Sequence, residues 1–223
     1  MSMGIVFEQI VRARRATRQF LTTPLTADQI VTVLSDAQSA PSNCNTQPWY
    51  VHVVSGATKQ RLSAALINDE EQGYRTPDFS FDSFDGVYAE RHHAMAQRRN
   101  DAVGISRDDE QARHEDMLRN LRFYGAPHVA FLFMPVYGDS VRVAGDIGMY
   151  AQTLLLSLTA HGFAGIPQTV LGFYPHTVRE VLEVSDGFKL LFGISFGYAD
   201  PDAPSQQLDV GRAAIGESVI FHD

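Results

Sequence analysis

Cysteine and lysine are scarce in this sequence. Cys44 is the one cysteine among 223 residues, which excludes an internal disulfide and a metal site made of several thiolates. Lys59 and Lys189 are the only lysines, so arginine provides the other 16 of the 18 basic side chains. Acidic residues outnumber them and give a formal net charge of -8, which argues against general binding to nucleic acid or to an anionic membrane surface.

Long hydrophobic runs and targeting signals are also missing. The most apolar stretch, residues 141–163, contains Arg142 and Asp146 and therefore does not resemble a transmembrane segment. The first ten residues include Glu8 and lack the basic segment of a signal peptide. Hydrophobic residues nevertheless make up 44% of the chain, enough for a substantial core. We expect a cytoplasmic protein of one domain, residues 1–223, with no membrane partner.

Several motifs of nucleotide and metal sites are absent. The chain has neither Gly-x-Gly-x-x-Gly nor a Walker-type loop, which argues against a Rossmann or P-loop nucleotide site. His92, His93 and His114 lie in polar stretches without the spacing of metal ligands. We therefore expect no metal site.

The hydrophobic pattern predicts alternating helices and strands, which indicates an α/β or α+β fold. Thr26 and Gln29 form a capping box at the start of a helix that ends before Pro41. Residues 73–123 begin with an aromatic-rich segment and predict an insertion or lid. The other predicted elements are helices 4–19, 57–68, 85–103, 108–123, 142–161 and one beginning at Pro175, and strands 49–54, 129–134, 190–198 and 219–221.

Three arginines near the N-terminus form the first candidate site. Arg14 and Arg18 are spaced i, i+4, so on a helix both guanidinium groups lie on one face, and Arg15 lies beside them. Guanidinium groups bind phosphate oxygens in a bidentate manner. Taken alone, the cluster is better explained as a basic helix end that complements the helix dipole.

A polar loop forms the second candidate site. Its sequence is Pro41-Ser-Asn-Cys-Asn-Thr-Gln-Pro-Trp49, between a predicted helix and a predicted strand. The two prolines shape the loop, and its amides and hydroxyls are suited to a flat polar heterocycle. The alternative is a turn-rich connection in which Trp49 belongs to the core.

Together the two segments resemble the flavin-dependent nitroreductase family. The resemblance rests on Arg-Arg-x-x-Arg-x-Phe followed by Pro-Ser-x-x-Asn-x-Gln-Pro-Trp, and is supported by Gly165-Ile-Pro-Gln-Thr-Val170, by Gly193-Ile-Ser-Phe-Gly-Tyr198 and by Arg212. The segment Asn120–Pro127 resembles the branch of nitrobenzoate-type reductases. The resemblance implies a three-layer fold, with a mostly antiparallel sheet surrounded by helices, and a homodimer with FMN at the subunit interface.

The resemblance also implies roles for individual residues. The FMN phosphate and ribityl chain are expected near the N-terminal segment and the tail, with contacts from Arg14, Arg15, Ala16, Thr17, Arg18 and Arg212. The flavin ring is expected near two further segments, with contacts from Pro41, Ser42, Asn43, Asn45, Gln168, Thr169 and Val170. Helix 142–161 and the C-terminal tail are expected to form the dimer interface.

The implied activity is the reduction of a small aromatic acceptor, most often a nitroaromatic compound, by NADPH or NADH in a ping-pong cycle. Because the flavin carries the hydride chemistry, we name no catalytic residue. Two alternatives stay open: a related flavoenzyme acting on quinones or halogenated phenols, and a non-enzymatic protein that binds or stores flavin.

Aromatic residues of the insertion are candidates for the acceptor pocket. Aromatic side chains at 74–88, together with Phe123 and Tyr124, could stack on a flat substrate, or could form a hydrophobic cluster under a long loop. A substrate carboxylate could bind to surface arginines of the insertion, namely Arg91, Arg98 and Arg107.

A competing motif is Gly193-Ile-Ser195-Phe-Gly197, which matches the Gly-x-Ser-x-Gly of serine hydrolases. Asp209 and His222 follow in the order that an α/β-hydrolase requires. However, that motif needs a strand, a sharp turn and a helix, whereas Pro201 and Pro204 follow here. We therefore predict one continuous strand and no hydrolase activity.

Overall fold

Four antiparallel strands form the central sheet in the computed structural model, which describes residues 3–106, 108–204 and 208–222. Their spatial order is β1, β2, β4, β3. The strands are β1 (Tyr50–Ser55), β2 (His128–Pro135), β3 (Ala164–Gln168) and β4 (Phe188–Gly197). Each neighbouring pair is antiparallel, so the expected mostly antiparallel sheet is confirmed.

The helices were largely predicted by the hydrophobic pattern. Among the described residues they are α1 (Met3–Ala13), α2 (Ala27–Ala37), α3 (Gly56–Glu71), α4 (Gly86–Val103), α5 (Glu110–Leu121), α6 (Val141–Ala160) and α7 (Pro175–Leu182). Short 3-10 turns lie at Asn43–Asn45, Phe123–Gly125, Thr169–Phe173 and Ile215–Glu217. The predicted capping box of α2 is present, since Thr26 Oγ1 accepts the N–H of Gln29 and Gln29 Oε1 accepts the N–H of Thr26.

Strand β2 shows why the fold has three layers. Successive side chains of a strand point to opposite faces of the sheet. Ala130 and Leu132 pack on the α2 and α6 side, whereas Phe131 and Phe133 pack on the side of α3, α5 and α7. All four are fully buried. Helices therefore cover both faces of the sheet, as expected, and no described helix is long and apolar enough to cross a membrane.

Three expectations are corrected by the structure. Helix α1 ends at Ala13, not at residue 19, so the arginine cluster follows the helix. Residues 219–221 form no strand, and Ile220 and Phe221 are exposed. Strand β3 was not predicted, because Gly165 and Pro167 obscure its pattern; as an edge strand, it can include a proline.

Helix α6 is central but not covered on all sides. Its inner face packs against α2 and the sheet through Ile147, Leu154 and Leu158. The opposite face is exposed in the single chain, and includes Gly145, Gly148, Met149 and Gln152. Helix α6 thus has one face buried within the chain and a second face, made of small residues, Met149 and Gln152, that is open to solvent.

The predicted insertion divides into two parts. Helix α5 joins the core through Leu118 and Leu121, both buried. Helix α4 has no buried residue. It is held by polar contacts, from Arg99 to Asp116 on α5 and from Arg91 to Glu217 in the tail. This helix therefore lies on the surface of the packed domain as a covering element.

Candidate active site

The structure brings the predicted phosphate-binding arginines together around one cavity. Arg14, Arg15 and Arg18 line a cavity of about 540 Å³, together with Arg212 from the C-terminal tail. The remaining lining residues come from the same two segments and from α4: Val11, Arg12, Ala16, Met95, Leu208, Asp209, Val210 and Gly211. The cavity, called here the arginine cavity, falls within the usual size of a cofactor site.

The arginines converge for a reason other than the helical spacing. Arg14 follows the last residue of α1, Ala13, and its N–H still donates to Ile10 O at 3.0 Å, whereas Arg18 lies on the non-helical segment that follows. This segment adds to the edge of the sheet, where Ala16 pairs in parallel with Gly165 and the N–H of Thr17 donates to Gly165 O at 3.4 Å. The helical i, i+4 argument for the cluster is therefore wrong, although the cluster itself is present.

The arginines that converge on the cavity are not paired with carboxylates. Among the described residues, Arg14, Arg15, Arg18 and Arg212 form no ion pair. Burial lowers the pKa of Arg14 from its usual value, and the neighbouring Arg212 and Arg15 lower it further. Arginine stays protonated, so the cavity carries a concentrated positive charge that an anion would neutralise.

Backbone carbonyls hold the cavity in shape. Arg15 Nη1 donates to Leu208 O at 3.3 Å, and Arg98 Nη1 donates to Asp209 O at 3.5 Å. Both contacts attach the tail to the rest of the site. On the other side, Arg119 Nη2 on α5 donates to Arg18 O at 2.8 Å. The sequence offered no signal for Arg119, whose role depends entirely on the tertiary structure.

The polar loop is exposed and unusually bent. Cys44, Asn45 and Gln47 have positive φ values of 51°, 56° and 48°, which non-glycine residues seldom adopt. The N–H of Asn43 donates to Asp146 Oδ1 on α6 at 2.9 Å, and Ser42 Oγ accepts the N–H of Gln47 at 2.9 Å. These contacts fix the loop conformation and leave its outer surface open.

The predicted loop residues do not join the arginine cavity within one chain. Pro41, Ser42, Asn43 and Asn45 are absent from its described lining. Trp49, at the end of the loop, is a core residue whose Nε1 donates to Gln38 Oε1 at 2.7 Å. Trp49 is therefore a core residue, as the alternative interpretation predicts, whereas contact of the preceding loop residues with a flavin stays a prediction.

The third predicted segment follows β3, which pairs with the arginine-bearing segment at Gly165. Gln168 ends β3 and is buried, whereas Thr169 is exposed and Val170 partly exposed at the start of the next turn. Helix α5 connects this turn with the arginine cavity: Gln168 Nε2 donates to Asn120 O at 2.9 Å, and the adjacent Arg119 contacts Arg18 O. The geometry therefore links two of the three predicted cofactor segments.

Comparison with known proteins identifies the family. Residues 11–198 match the Nitroreductase family. The chain belongs to the nitroreductase family. It is 44% identical over 216 residues to the nitroreductase NfnB of Mycolicibacterium smegmatis, covering 96% of this chain and 92% of that protein. It is 31% identical to the 4-nitrobenzoate reductase of Pseudomonas putida, covering 92% of this chain and 91% of that protein.

A solved structure shows the same fold. The crystal structure of the FMN-dependent nitroreductase NfnB from Mycobacterium smegmatis in complex with NADPH matches with a TM-score of 0.96 at 42% identity, covering 100% of both chains. The resemblance to nitroreductases and the three-layer fold predicted from the sequence are therefore confirmed.

In this nitroreductase, Phe123 and Tyr124 occupy the core. The Phe123 ring is fully buried and meets Phe131 edge to face, with ring centroids 6.2 Å apart. Tyr124 is also buried, and its hydroxyl donates to Asn120 Oδ1 at 2.8 Å. Because neither ring has a free face, the structure does not support their predicted contact with substrate.

The aromatic loop of the nitroreductase supplies a different set of rings. Phe79 and Phe81 line a small cavity of about 130 Å³ together with Phe173, and Thr169 forms part of its wall. Phe81 packs on Phe173, with centroids 5.7 Å apart. This cavity adjoins the turn after β3, so residues 79–81 are better placed for an acceptor than Phe123 and Tyr124.

The arginines proposed to hold a substrate carboxylate have other partners. Arg91 Nη2 donates to Glu217 Oε2 at 2.9 Å, and Arg98 contacts Asp209 O. Arg107 lies outside the described residues. Within the described part of the chain, no group of three or more His, Cys, Asp or Glu side chains could hold a metal ion.

The structure excludes Ser195 as a hydrolase nucleophile. Ser195 is fully buried within β4, where it pairs with Val129 on β2 and Ile166 on β3. Its hydroxyl donates to Gln168 Oε1. The strand continues past it to Gly197, as predicted, and no helix begins there.

Proposed function

We propose that this protein is an FMN-dependent NAD(P)H oxidoreductase that reduces small nitroaromatic compounds. The observation that carries the proposal is the arginine cavity, in which Arg14, Arg15, Arg18 and Arg212 converge without carboxylate partners. A phosphate monoester supplies the missing negative charge and accepts bidentate hydrogen bonds from guanidinium groups. The family and the names of its relatives agree with this ligand and with this reaction.

The residues present fit the phosphate end of FMN. The cavity supplies guanidinium donors from two separate segments, the N-terminal segment and the tail, so a phosphate bound between them would hold both in place. Burial is the main cause of the lowered pKa of Arg14, and repulsion from Arg212 and Arg15, which a bound anion would relieve, lowers it further. Bound FMN supplies hydride transfer. The protein binds it, orients it and controls access to it.

We infer that the ring end of the cofactor meets the turn at Gln168–Val170 and a polar loop from a second copy of the chain. Of the loop residues, Pro41, Asn43 and Asn45 are exposed and Ser42 is half-buried, and all four lie outside the arginine cavity of their own chain. They are anchored by Asp146 on α6, whose outer face is unpartnered in the single chain. A dimer formed through α6 would carry this loop to the partner's turn. This would give one FMN at each of two shared sites.

The proposed reaction requires no acid–base or nucleophilic side chain. NAD(P)H and the aromatic acceptor bind in turn at the same flavin face, which gives a ping-pong cycle. Of the described residues lining the arginine cavity, Asp209 is the one carboxylic acid, and its Oδ1 accepts the N–H of Gly211. We therefore assign binding and orientation, and no acid–base step, to this chain.

The test is spectroscopic. Purified protein should carry a yellow flavin spectrum or acquire it when FMN is added, and anaerobic NADPH or NADH should bleach it. Addition of 4-nitrobenzoate or nitrobenzene should restore the oxidised spectrum. Protein that takes up no FMN contradicts the proposal.

The same experiment separates the two alternatives. A flavin-storage protein would bind FMN without being reduced by either nucleotide. An enzyme for quinones or halogenated phenols would be reduced by a nucleotide and reoxidised by those compounds but not by nitroaromatic ones.

A further inference from the structure

Ser195 is a buried polar residue that the proposed function does not use. It lies at the centre of the Gly193–Gly197 segment of β4, with hydrogen-bonded strands on both sides. A buried hydroxyl destabilises a fold unless it has a hydrogen-bond partner. Its partner is Gln168, the residue that begins the turn assigned to the flavin. The serine therefore connects the centre of the sheet with the candidate active site.

Both ends of the Gln168 side-chain amide are fixed. Its Oε1 accepts the hydroxyl of Ser195, and its Nε2 donates to Asn120 O at 2.9 Å. Gln168 is only 3% exposed, so water does not compete for these groups. Asn120 O can only accept a hydrogen bond, so it must face the Nε2 end of the amide. The Oε1 end then faces the Ser195 hydroxyl, which can donate to it, and the two partners together fix the orientation of the amide. The side chain is thus held on one side by β4 and on the other by α5.

The turn after Gln168 packs closely against β4. A Cβ at Gly172 would lie 2.5 Å from Leu191 O, and a Cβ at Gly193 would lie 2.6 Å from Leu171 Cδ1. At Gly172 the blocking atom is a backbone oxygen, so glycine is required there, whereas at Gly193 it is the end of the Leu171 side chain, which would have to shift to admit a Cβ. The glycine that precedes Ser195 in the motif therefore serves close packing of the turn. The serine adds a directional contact to the same turn.

We propose that Ser195 is a positioning residue. It acts through Gln168 to fix the distance and orientation of the Thr169–Val170 backbone relative to the flavin ring. The proposal rests on the proposed function for the identity of the cofactor. Its structural part, that the hydroxyl of Ser195 holds this turn, is independent of the cofactor. Hydrogen-bond donors from the turn can favour the reduced flavin only when they are held in the correct geometry.

The test compares Ser195→Ala with Ser157→Ala. Ser157 is a matched control, because it is also buried and donates a hydrogen bond, at 2.6 Å to Asp36 Oδ2, but it lies between α6 and α2 on the other side of the core. For Ser195→Ala with FMN bound, we expect a shifted flavin midpoint potential and an altered visible spectrum. Reduction by NAD(P)H should slow by about 10-fold, within the roughly 100-fold that misplacement remote from the reacting atoms can cause. KM for the nucleotide should stay unchanged.

Two further measurements make the result decisive. Hydrogen–deuterium exchange of the Thr169–Val170 amides in flavin-free protein should be faster in Ser195→Ala than in wild type and Ser157→Ala. If Ser195→Ala does not fold, Gln168→Met removes this contact together with the bond to Asn120 O, and should give changes in the same direction that are at least as large. Unchanged potential, spectrum and exchange, or equal changes in Ser157→Ala, would overturn the proposal. Wild-type protein that takes up no FMN would instead contradict the proposed function, and the exchange experiment would still decide the structural part.

Discussion

At the scale of single residues, the site depends on arginine side chains that are left without carboxylate partners. Most other arginines of the described chain form ion pairs, such as Arg179 with Asp78 and Arg99 with Asp116. Arg14, Arg18 and Arg212 instead line one open cavity and, among the described residues, form no ion pair there. A protein with a formal net charge of -8 can therefore hold a phosphate, because local charge and not total charge decides the interaction.

The first prediction concerns this cluster. Arg14→Gln and Arg18→Gln each remove a charged hydrogen-bond donor, and such bonds contribute about 1.5–3 kcal/mol. FMN affinity should therefore fall by roughly 10- to 100-fold for each variant. The decrease can be measured by titrating flavin-free protein and following the flavin fluorescence. Arg113→Gln, an exposed arginine on α5, is the control with the same charge change and should bind FMN like wild type.

A second feature at this scale is the buried histidine at the start of β2. His128 Nε2 accepts the N–H of Leu25 at 2.9 Å, so the neutral ring carries its proton on Nδ1, which lies 2.5 Å from Ser55 Oγ. Burial lowers the pKa of His128 below its ordinary value of 6.5, and the positive charge of Lys59 lowers it further. Protonation would direct a second N–H at the N–H of Leu25.

This geometry predicts a loss of stability in acid. Below pH 6.5 the unfolded chain takes up a proton at this position before the folded chain does, so the free energy of unfolding should fall as the pH decreases from about 7 towards the lowered pKa of His128. Burial also lowers the pKa of His52, which adds to the same trend. In His128→Gln the decrease in melting temperature between pH 7.5 and 5.5 should be smaller than in wild type. An exposed-site control, His93→Gln, should keep the wild-type slope.

At the scale of elements, the aromatic loop before α4 is held by one buried carboxylate. Asp78 Oδ2 accepts from Arg179 Nη1 of α7 at 2.6 Å and from the N–H of Leu190 of β4 at 2.8 Å. Lys189 Nζ lies 3.5 Å from Asp78 Oδ1. Because Phe79 and Phe81 follow directly, this carboxylate places the small aromatic cavity beside Thr169.

The third prediction tests this anchor. Asp78→Asn leaves the largely buried Arg179 without its main partner, and breaking a buried pair in this way costs about 3–5 kcal/mol in the free energy of unfolding. The value can be measured by urea denaturation. Asp186, the other carboxylate near Arg179, is 98% exposed, so Asp186→Asn should cost about 1 kcal/mol or less. Equal losses in both variants would contradict the proposed anchoring.

At the scale of the whole molecule, the unpartnered face of α6 is the central feature. Gly145, Gly148 and Met149 lie on this face, next to the polar loop that Asp146 anchors. The proposed site is complete only when the loop of a second copy reaches it. Oligomeric state and flavin binding should therefore change together.

The fourth prediction follows from this coupling. Met149→Asp places a charge on the proposed interface, where desolvation of an unpaired carboxylate is unfavourable. Sedimentation should show a shift from dimer to monomer, and FMN affinity should fall in parallel. Gln111→Asp introduces the same charge on the exposed side of α5 and should change neither property. A monomeric variant that binds FMN with wild-type affinity would contradict the shared site.

The amino-acid sequence was sufficient to predict the layers of the fold and to propose which residue types form the site. Buried strands such as β2 and amphipathic helices such as α2 have patterns set by which side chains avoid water, and those patterns are local. The arginines and the polar loop were predicted as cofactor-binding segments because guanidinium, amide and hydroxyl groups suit phosphate and flavin, and because their order resembles that of the nitroreductase family; their contacts with the cofactor stay a prediction. Residue type and order carry that information.

The tertiary structure decided how these groups meet. The end of α1 at Ala13, the pairing of Ala16 with Gly165, the contact of Arg119 with Arg18 O and the burial of Phe123 all depend on segments distant in sequence. No local pattern encodes such contacts, because their free energy comes from desolvation and packing that exist only once the sheet and its two helical layers have formed.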